Sequence, residues 1–288
     1  MVSAVRRAGG RVAEDLHEAD AVVWLDSDPE SLMSRLHDGL RWVQLPSAGV
    51  RSGVEAGLLD RELQVTSTAG AYAPQVAEHA LALLLACFRQ LHRYARASAW
   101  APQETRSLAG STAAIVGAGG IGTALIELLG GLQVQILAVN RSGEAVDGAQ
   151  ATLPASRLDE VWPKVDAVVL SAPETPETHH LVGRAQLSAM RDDVALVNVA
   201  RGTLVDTAAL VEALAEERIG VAALDVTDPE PLPDDHPLWR EPRALITCHT
   251  ANPRDALETA LVERVERDVE RFAAGEQLLG VVDPDRGY

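Results

Sequence analysis

Val116-Gly117-Ala118-Gly119-Gly120-Ile121-Gly122 satisfies the pattern G-x-G-x-x-G, and the residues on either side decide how it is read. Before it, Ala113–Gly117 is a continuous apolar run of strand length; after it, Gly120–Gly131 carries helical spacing. In such a strand–turn–helix the first glycine permits a tight turn and the second lets backbone approach a pyrophosphate. The third allows close helix–strand packing. Gly117, Gly119 and Gly122 fill these places, and the amides of Gly120 and Ile121 would face an anion at the positive helix end. A plain glycine-rich turn is the alternative, because the pattern alone is weak. The context on both sides favours a dinucleotide loop.

Outward from this loop the rhythm persists. Gln135–Asn140, Ala167–Ala172, Ala195–Val199 and Val221–Val226 are further apolar runs, mostly separated by helical segments such as Thr207–Glu217. Strands covered on both faces by helices read this way. The expected class is therefore α/β, with a doubly wound, Rossmann-type parallel sheet as the dinucleotide-binding domain over residues 72–252. Residues 1–71 read as the first part of a smaller α/β domain, with strands at Ala21–Leu25, Trp42–Leu45 and Leu63–Thr66 and a helix at Pro29–Leu40. A helical pattern from Pro74 to about Ala97 is apolar nearly all round at Ala80–Phe88, which suits burial between lobes or subunits and predicts a homodimer. The amphipathic run Pro253–Ala274 opens a last segment, 253–288, expected to return to the first lobe.

Composition bounds the function. A chain of 288 residues suits two lobes, and 47% apolar with 23% charged residues is ordinary for a globular protein. A net charge of −17 argues against nucleic acid, which leaves a basic footprint. Two cysteines, Cys87 and Cys248, make no disulfide framework and suit a reducing compartment. No apolar run follows Arg6 and Arg7, and Ala80–Phe88 is too short to span a bilayer, so a cytoplasmic protein without membrane partners is expected. His179 and His180 lack partners at metal-ligand spacing, and no metal is expected.

An acidic protein needs a local device to hold an anionic ligand. At the end of the second strand after Leu108, where an Asp or Glu would accept hydrogen bonds from an adenosine ribose, stands Asn140-Arg141-Ser142. No carboxylate there repels a 2′-phosphate; Arg141 can pair with one and Ser142 can donate to it. NADP(H) is thus expected over NAD(H), with NAD(H) possible. A solvated Arg-Ser-Gly turn is the bland alternative.

Three polar segments follow predicted strands: Asn198-Val199-Ala200-Arg201-Gly202, Asp225-Val226-Thr227-Asp228-Pro229-Glu230-Pro231 and Thr247-Cys248-His249-Thr250-Ala251-Asn252. Ligands of open α/β sheets bind beyond the carboxyl ends of strands, where these lie. Taken singly, Arg201 reads as a surface ion-pair partner, Glu230 as a loop acid and His249 as a structural histidine. Together, in this order, they read as an active site.

Here the sequence resembles the D-isomer-specific 2-hydroxyacid dehydrogenases, including their glyoxylate/hydroxypyruvate reductases. The resemblance runs over nearly the whole chain. It includes Gln44-Leu45-Pro46-Ser47-Ala48-Gly49-Val50, Val76-Ala77-Glu78-His79 and the glycine loop. It continues through Ala172-Pro173-Glu174-Thr175-Pro176-Glu177-Thr178 and Ala200-Arg201-Gly202-Thr203-Leu204-Val205-Asp206 to Val282-Asp283-Pro284-Asp285-Arg286-Gly287-Tyr288. It implies hydride transfer between a nicotinamide cofactor and a small 2-keto or 2-hydroxy acid. Arg201 would hold the substrate carboxylate and polarise its 2-oxygen. His249 would give or take the hydroxyl proton, oriented by Glu230. Asp225 would contact the nicotinamide carboxamide, and Ala172, Pro173, Thr178, Val199 and Ala200 would line the cofactor site. Ala48, Gly49 and Val50 would offer backbone amides to the substrate carboxylate, and the smaller lobe would be flavodoxin-like.

The pattern departs in places. Family members open on a strand before their first helix, whereas Met1-Val2-Ser3-Ala4-Val5-Arg6-Arg7 looks like the tail of that helix. The first lobe's sheet should then show a gap, an edge strand or a borrowed segment. Cys248 stands where the family usually has Pro, and reads as buried packing. His79 reads as a helix residue with a local partner, and Trp100 either as packing or as reaching a neighbouring subunit. A dinucleotide-sensing co-repressor, a formate dehydrogenase and a phosphoglycerate dehydrogenase are the competing functions. The chain shows no basic surface for the first and no added regulatory domain for the last.

Overall fold

The computed structural model describes residues 1–26 and 28–283; Pro284–Tyr288 of the terminal motif lie outside the described residues. In chain order the first elements are α1 (Val2–Arg7), β1 (Ala21–Val23), α2 (Pro29–Met33), β2 (Trp42–Gln44), α3 (Arg51–Glu55) and β3 (Gln64–Thr66). Next come α4 (Ala73–Phe88), α5 (Leu91–Tyr94), β4 (Thr112–Val116), α6 (Gly120–Leu129), β5 (Gln135–Asn140), β6 (Ala151–Pro154) and β7 (Ala167–Leu170). The order closes with α7 (Arg184–Ala189), β8 (Ala195–Asn198), α8 (Thr207–Ala215), β9 (Val221–Leu224), β10 (Ala244–Ile246) and α9 (Arg254–Ala274). The chain divides into two compact units, residues 1–72 with 253–288 and residues 73–252.

The larger unit is a seven-stranded parallel sheet in the order β10-β9-β8-β7-β4-β5-β6. Its central strands β7, β8 and β9 are buried at every position, as strands covered on both faces must be. The order reverses between β4 and β7, which is the switch point where open α/β sheets bind ligands. Two strands are short additions to the sequence reading. β6 is a half-exposed edge strand with no continuous apolar run to announce it. β10 was implied only by the polar loop that follows it.

The helix expected from Pro74 to Ala97 is two helices. Gln90 takes a left-handed conformation (φ 55°) and ends α4 before α5 begins. Nor is α4 buried all round: Ala73, Val76, Ala77, Ala80, Leu83, Leu84, Cys87 and Phe88 form one covered face, against α6 and the sheet. Leu85, Leu91, Tyr94 and Trp100 remain exposed on this part of the unit, Trp100 at 97%. The helix expected over Pro29–Leu40 likewise stops at Met33.

The smaller unit carries a three-stranded parallel sheet, β1-β2-β3, whose far edge is touched by Val281 through an antiparallel bridge to Thr66. α9 clasps this sheet: Arg264 donates to the carbonyls of Ser67 and Ala69, and the Phe272 ring packs on Trp42. Asp268, fully buried on α9, accepts the Leu279 amide at 2.8 Å. Burial pushes its carboxyl above the ordinary range, partly offset by that bond and by Arg264.

β1 lies at an edge of this sheet, with β2 on its one paired side. Arg41 N–H donates to Asp20, and Trp24 N–H donates to Gln44. Alternate residues of a parallel ladder face the same neighbour. Val22 therefore faces β2, while Ala21 and Val23 direct their N–H and C=O groups away from it. Among the described residues no strand pairs there. A groove of about 980 Å³ runs along this edge, lined by Val5, Val12, Val23, Val269 and Phe272 among others.

Candidate active site

Every polar segment singled out in the larger unit emerges from the carboxyl edge of the sheet. In spatial order, His249 follows β10, Asp225 and Glu230 follow β9, Arg201 follows β8, Ala172 follows β7, the glycine loop follows β4 and Arg141 follows β5. From β5 to β8 is three inter-strand steps, about 14 Å at about 4.8 Å per step. Residues scattered over half the sequence are thus brought into one row.

The three glycines differ in the space around them. Gly117 has φ +99°, and a Cβ on it would lie 2.3 Å from the Ala172 amide nitrogen, because the loops after β4 and β7 abut at the switch point. A Cβ on Gly122 would lie 2.5 Å from the Gly117 carbonyl oxygen, so helix and strand pack too closely for any side chain. At Gly119 a Cβ would meet nothing within 4 Å. That open space, in front of the first-turn amides of α6, fits a pyrophosphate. A residue here would project into the ligand's volume without disturbing the protein.

After β5 the Asn140 side chain is committed to its own turn. Its Oδ1 accepts from Gly143 N–H at 2.6 Å and its Nδ2 donates to the Glu144 carbonyl at 2.7 Å. This Asx-type closure leaves Arg141 exposed at the turn's tip. Ser142 Oγ accepts the Glu144 amide at 3.2 Å. Across from it, the Glu177 carboxyl is held below its ordinary range, first by a hydrogen bond from Thr175 and in smaller part by the Arg141 guanidinium. In the same loop Thr178 Oγ1 donates to the Pro173 carbonyl at 2.7 Å and accepts from Thr175 N–H. Thr178 thereby shapes the loop. Ala172 is buried against the glycine turn, and Val199 and Ala200 are buried beyond β8.

Asn198, fully buried, folds the segment that carries Arg201. Its Oδ1 accepts Ala200 N–H at 3.0 Å and its Nδ2 donates to the Arg201 carbonyl at 2.8 Å. Gly202 follows because a Cβ would overlap the Thr227 carbonyl oxygen. The loops after β8 and β9 therefore touch. Arg201 is half-buried, with one guanidinium nitrogen on the Ala200 carbonyl and the rest of its fork uncommitted to any other hydrogen bond described.

His249 and Glu230 meet, Nδ1 to Oε1, at 2.6 Å, with side chains 52% and 42% exposed. An ionised carboxylate only accepts, so Nδ1 carries the proton and Nε2 is left free for chemistry. His249 adopts φ +53°, outside the usual range for a side-chain-bearing residue. Its N–H is held at 2.7 Å by the Asp225 carbonyl and at 2.7 Å by the Thr247 carbonyl. This turn throws Cys248 outward: the cysteine read as buried packing is exposed.

Asp225 is enclosed by protein. Its side chain is 1% exposed; Oδ1 accepts from Thr247 Oγ1 at 2.7 Å and Thr250 N–H at 2.9 Å, and Oδ2 accepts from Ala251 N–H at 3.1 Å. Burial alone would raise its pKa, but these bonds and one from His79 hold it below the ordinary range. A carboxylate has about four lone-pair sites, so little of Asp225 is left for a carboxamide. His79 also departs from expectation. Its partner is Thr247, at 2.9 Å and 168 positions away in sequence. Nothing local in Val76-Ala77-Glu78-His79 could have shown that contact.

Ala48 and Gly49 are exposed backbone after β2 in the smaller unit, where Ser47 Oγ donates to the Gly49 carbonyl, and Val50 is buried. Among the described residues no cluster of His, Cys, Asp or Glu is built to hold a metal ion, and no helix is long and apolar enough to cross a membrane.

Residues 81–251 match the family profile described as D-isomer specific 2-hydroxyacid dehydrogenase, NAD binding domain. The chain is 39% identical over 296 residues to an uncharacterized protein in the proB 3′ region of Corynebacterium melassecola, covering 99% of this chain and 96% of that one. It is 31% identical over 278 residues to a glyoxylate reductase of Korarchaeum cryptofilum, covering 92% of this chain and 83% of that one. Among solved structures, it resembles an NADPH-dependent glyoxylate/hydroxypyruvate reductase of Sinorhizobium meliloti in complex with NADP and sulfate, with TM-score 0.83 at 25% identity. That match covers 100% of this chain and 97% of the other. A family profile over more than half of the chain, with a glyoxylate reductase at 31% identity, places the protein: the chain belongs to the D-isomer-specific 2-hydroxyacid dehydrogenases and is an NAD(P)-dependent oxidoreductase.

Proposed function

We propose that the protein reduces a small 2-keto acid of the glyoxylate or hydroxypyruvate type to the D-2-hydroxy acid, with NADP(H) as preferred cofactor. The observation that carries this reading is the 2.6 Å His249–Glu230 pair, whose members follow the two strands next beyond that of Arg201 on the sheet's carboxyl edge. The bound nicotinamide supplies the hydride in reduction and takes it in oxidation. Arg201 meets the substrate carboxylate with the planar donors its fork leaves open, fixing the 2-carbonyl relative to His249. His249 enters reduction as the imidazolium, Nδ1–H on Glu230, and gives its Nε2 proton to the oxygen as negative charge develops there. Glu230 stabilises that imidazolium and fixes the ring plane. In oxidation the same nitrogen receives the proton.

The activity and cofactor of the Sinorhizobium protein support this assignment, as does the Arg141 turn. Purified protein oxidising NADPH in the presence of glyoxylate, hydroxypyruvate and longer 2-keto acids is the test. No turnover with any of them, while NADP(H) still binds, would favour a dinucleotide-sensing binding protein instead.

We also propose a homodimer built on the larger unit. Leu85, Leu91, Tyr94 and Trp100 give the region around α4 and α5 an exposed apolar surface of the kind subunit contacts cover. Light scattering at micromolar concentration should give twice the chain mass, and Trp100→Glu should shift it toward the monomer. A wild-type monomer would refute the dimer.

A further inference from the structure

The Thr247–Ala251 loop that carries His249 is held from beneath by a network that no role of a substrate or cofactor ligand explains. Its proton bookkeeping can be settled. Thr247 has one hydroxyl hydrogen, and it goes to Asp225 Oδ1 at 2.7 Å, because a carboxylate can only accept. The contact of 2.9 Å between Thr247 Oγ1 and His79 Nε2 must then be a bond in which the histidine donates. The same Nε2–H lies 3.3 Å from Asp225 Oδ1. His79 is 21% exposed and Asp225 1%, so these bonds are made largely out of water, where they are strong and costly to lose.

Asp225 in turn holds the loop at three further points: its carbonyl takes His249 N–H, and its carboxylate takes the amides of Thr250 and Ala251. The φ of +53° at His249 costs energy and persists only where neighbouring bonds over-determine it. We infer that His79, reaching from α4, is a positioning residue: through Nε2–H on Thr247 and Asp225 it fixes the turn that aims His249 at Glu230 and at the substrate oxygen. His79 itself touches neither substrate nor coenzyme in this assignment. Its donated proton also helps to hold Asp225 as a buried carboxylate beneath that turn.

The inference rests on the reading of His249 as the proton carrier, so its test includes a measurement that needs no turnover. His249 ring resonances, followed by NMR across pH, report the strength of the Nδ1–Glu230 bond directly. His79→Leu removes the donor; Thr247→Val removes the relay hydroxyl; His79→Gln keeps an N–H at similar reach. In the Leu and Val variants the His249 midpoint should fall, since a loosened turn weakens the contact that stabilises the imidazolium. kcat should fall about tenfold, the change that about 1.4 kcal/mol produces, with NADPH affinity unaltered. The Gln variant should recover both. A residue that merely packed α4 would lower the melting temperature without moving the His249 midpoint. Unchanged midpoints in both His79→Leu and Thr247→Val overturn the inference, as does a Gln variant that behaves like Leu. An inactive wild-type protein with the predicted midpoint shifts would sink the functional reading and leave the positioning role standing.

Discussion

Replacing His249 by alanine is expected to lower kcat for 2-keto-acid reduction by about 10²–10⁴-fold, the usual contribution of general acid–base catalysis. The Asp225 bonds to Thr247 Oγ1 and to the amides of Thr250 and Ala251 do not involve the imidazole, so the loop's fold should survive. NADPH should still bind, because the glycine loop and the Arg141 turn lie on other strands. Glu230→Gln is a subtler probe. A glutamine can still accept from Nδ1 through its carbonyl, preserving the ring's orientation, but carries no charge to stabilise the imidazolium. Its kcat should therefore fall although the ring is still aimed. Arg201→Ala should lower kcat/KM severely, since both the carboxylate's hold and the carbonyl's polarisation go with it. Steady-state kinetics on the three variants, with circular dichroism for folding, decides the matter. Near-normal turnover in His249→Ala would remove the mechanism.

The second large effect concerns the cofactor. NADPH should exceed NADH in kcat/KM by roughly ten- to a hundredfold, because a charge-assisted hydrogen bond to a phosphate contributes about 1.5–3 kcal/mol. Two features of the turn place the expectation toward the lower end of that range. Arg141 is exposed, so solvent screens the interaction. The Glu177 carboxyl, held below its ordinary range first by the Thr175 hydrogen bond, also feels the Arg141 charge in small part and so offsets a little of the guanidinium's pull on a phosphate. Asn140→Asp combined with Arg141→Ala should reverse the preference, mainly through KM, since the phosphate is far from the reacting carbon. The wild-type preference should narrow as salt rises. The Asn140 substitution carries its own risk: Nδ2 donates to the Glu144 carbonyl, and an aspartate cannot. Arg141→Ala alone is the control that separates loss of charge from loss of the turn. Equal efficiency with both cofactors in the wild-type protein would show that Arg141 spends its charge on Glu177 or on water.

What the sequence made legible was local or periodic. Gly117, Gly119 and Gly122 could be assigned three separate tasks because each is dictated by backbone within a few residues, and the space around them answers to those tasks. The buried strands β7, β8 and β9 announced themselves as unbroken apolar runs. β6 did not, since a half-exposed four-residue edge strand lacks both an apolar run and clean alternation. The break at Gln90 was hidden because apolar spacing continues through Leu91 while a single backbone angle changes sign. At the site, Arg201, Glu230 and His249 could be proposed from residue type and order. The Thr247 hydroxyl's dependence on His79 could not, because it joins segments 168 positions apart and is visible only in three dimensions. Cys248 was misplaced for a related reason: the next residue takes a left-handed conformation, which side-chain-bearing residues seldom adopt and nothing in the local sequence announces.

The free side of β1 has a consequence for how the protein behaves in a crowded test tube. An edge that directs backbone N–H and C=O groups outward is a template on which another extended chain can add, and long flat edges of this kind seed aggregation. β1 is only three residues long and is bracketed by the exposed carboxylates of Asp20 and Asp26. A second copy approaching edge to edge would bring the same acids against them, on a chain already carrying −17. The acidity that is unhelpful to an anion-binding site thus opposes edge-to-edge pairing at β1. Neutralising Asp20 and Asp26, or masking them with high salt, exposes the protein to strand-mediated precipitation.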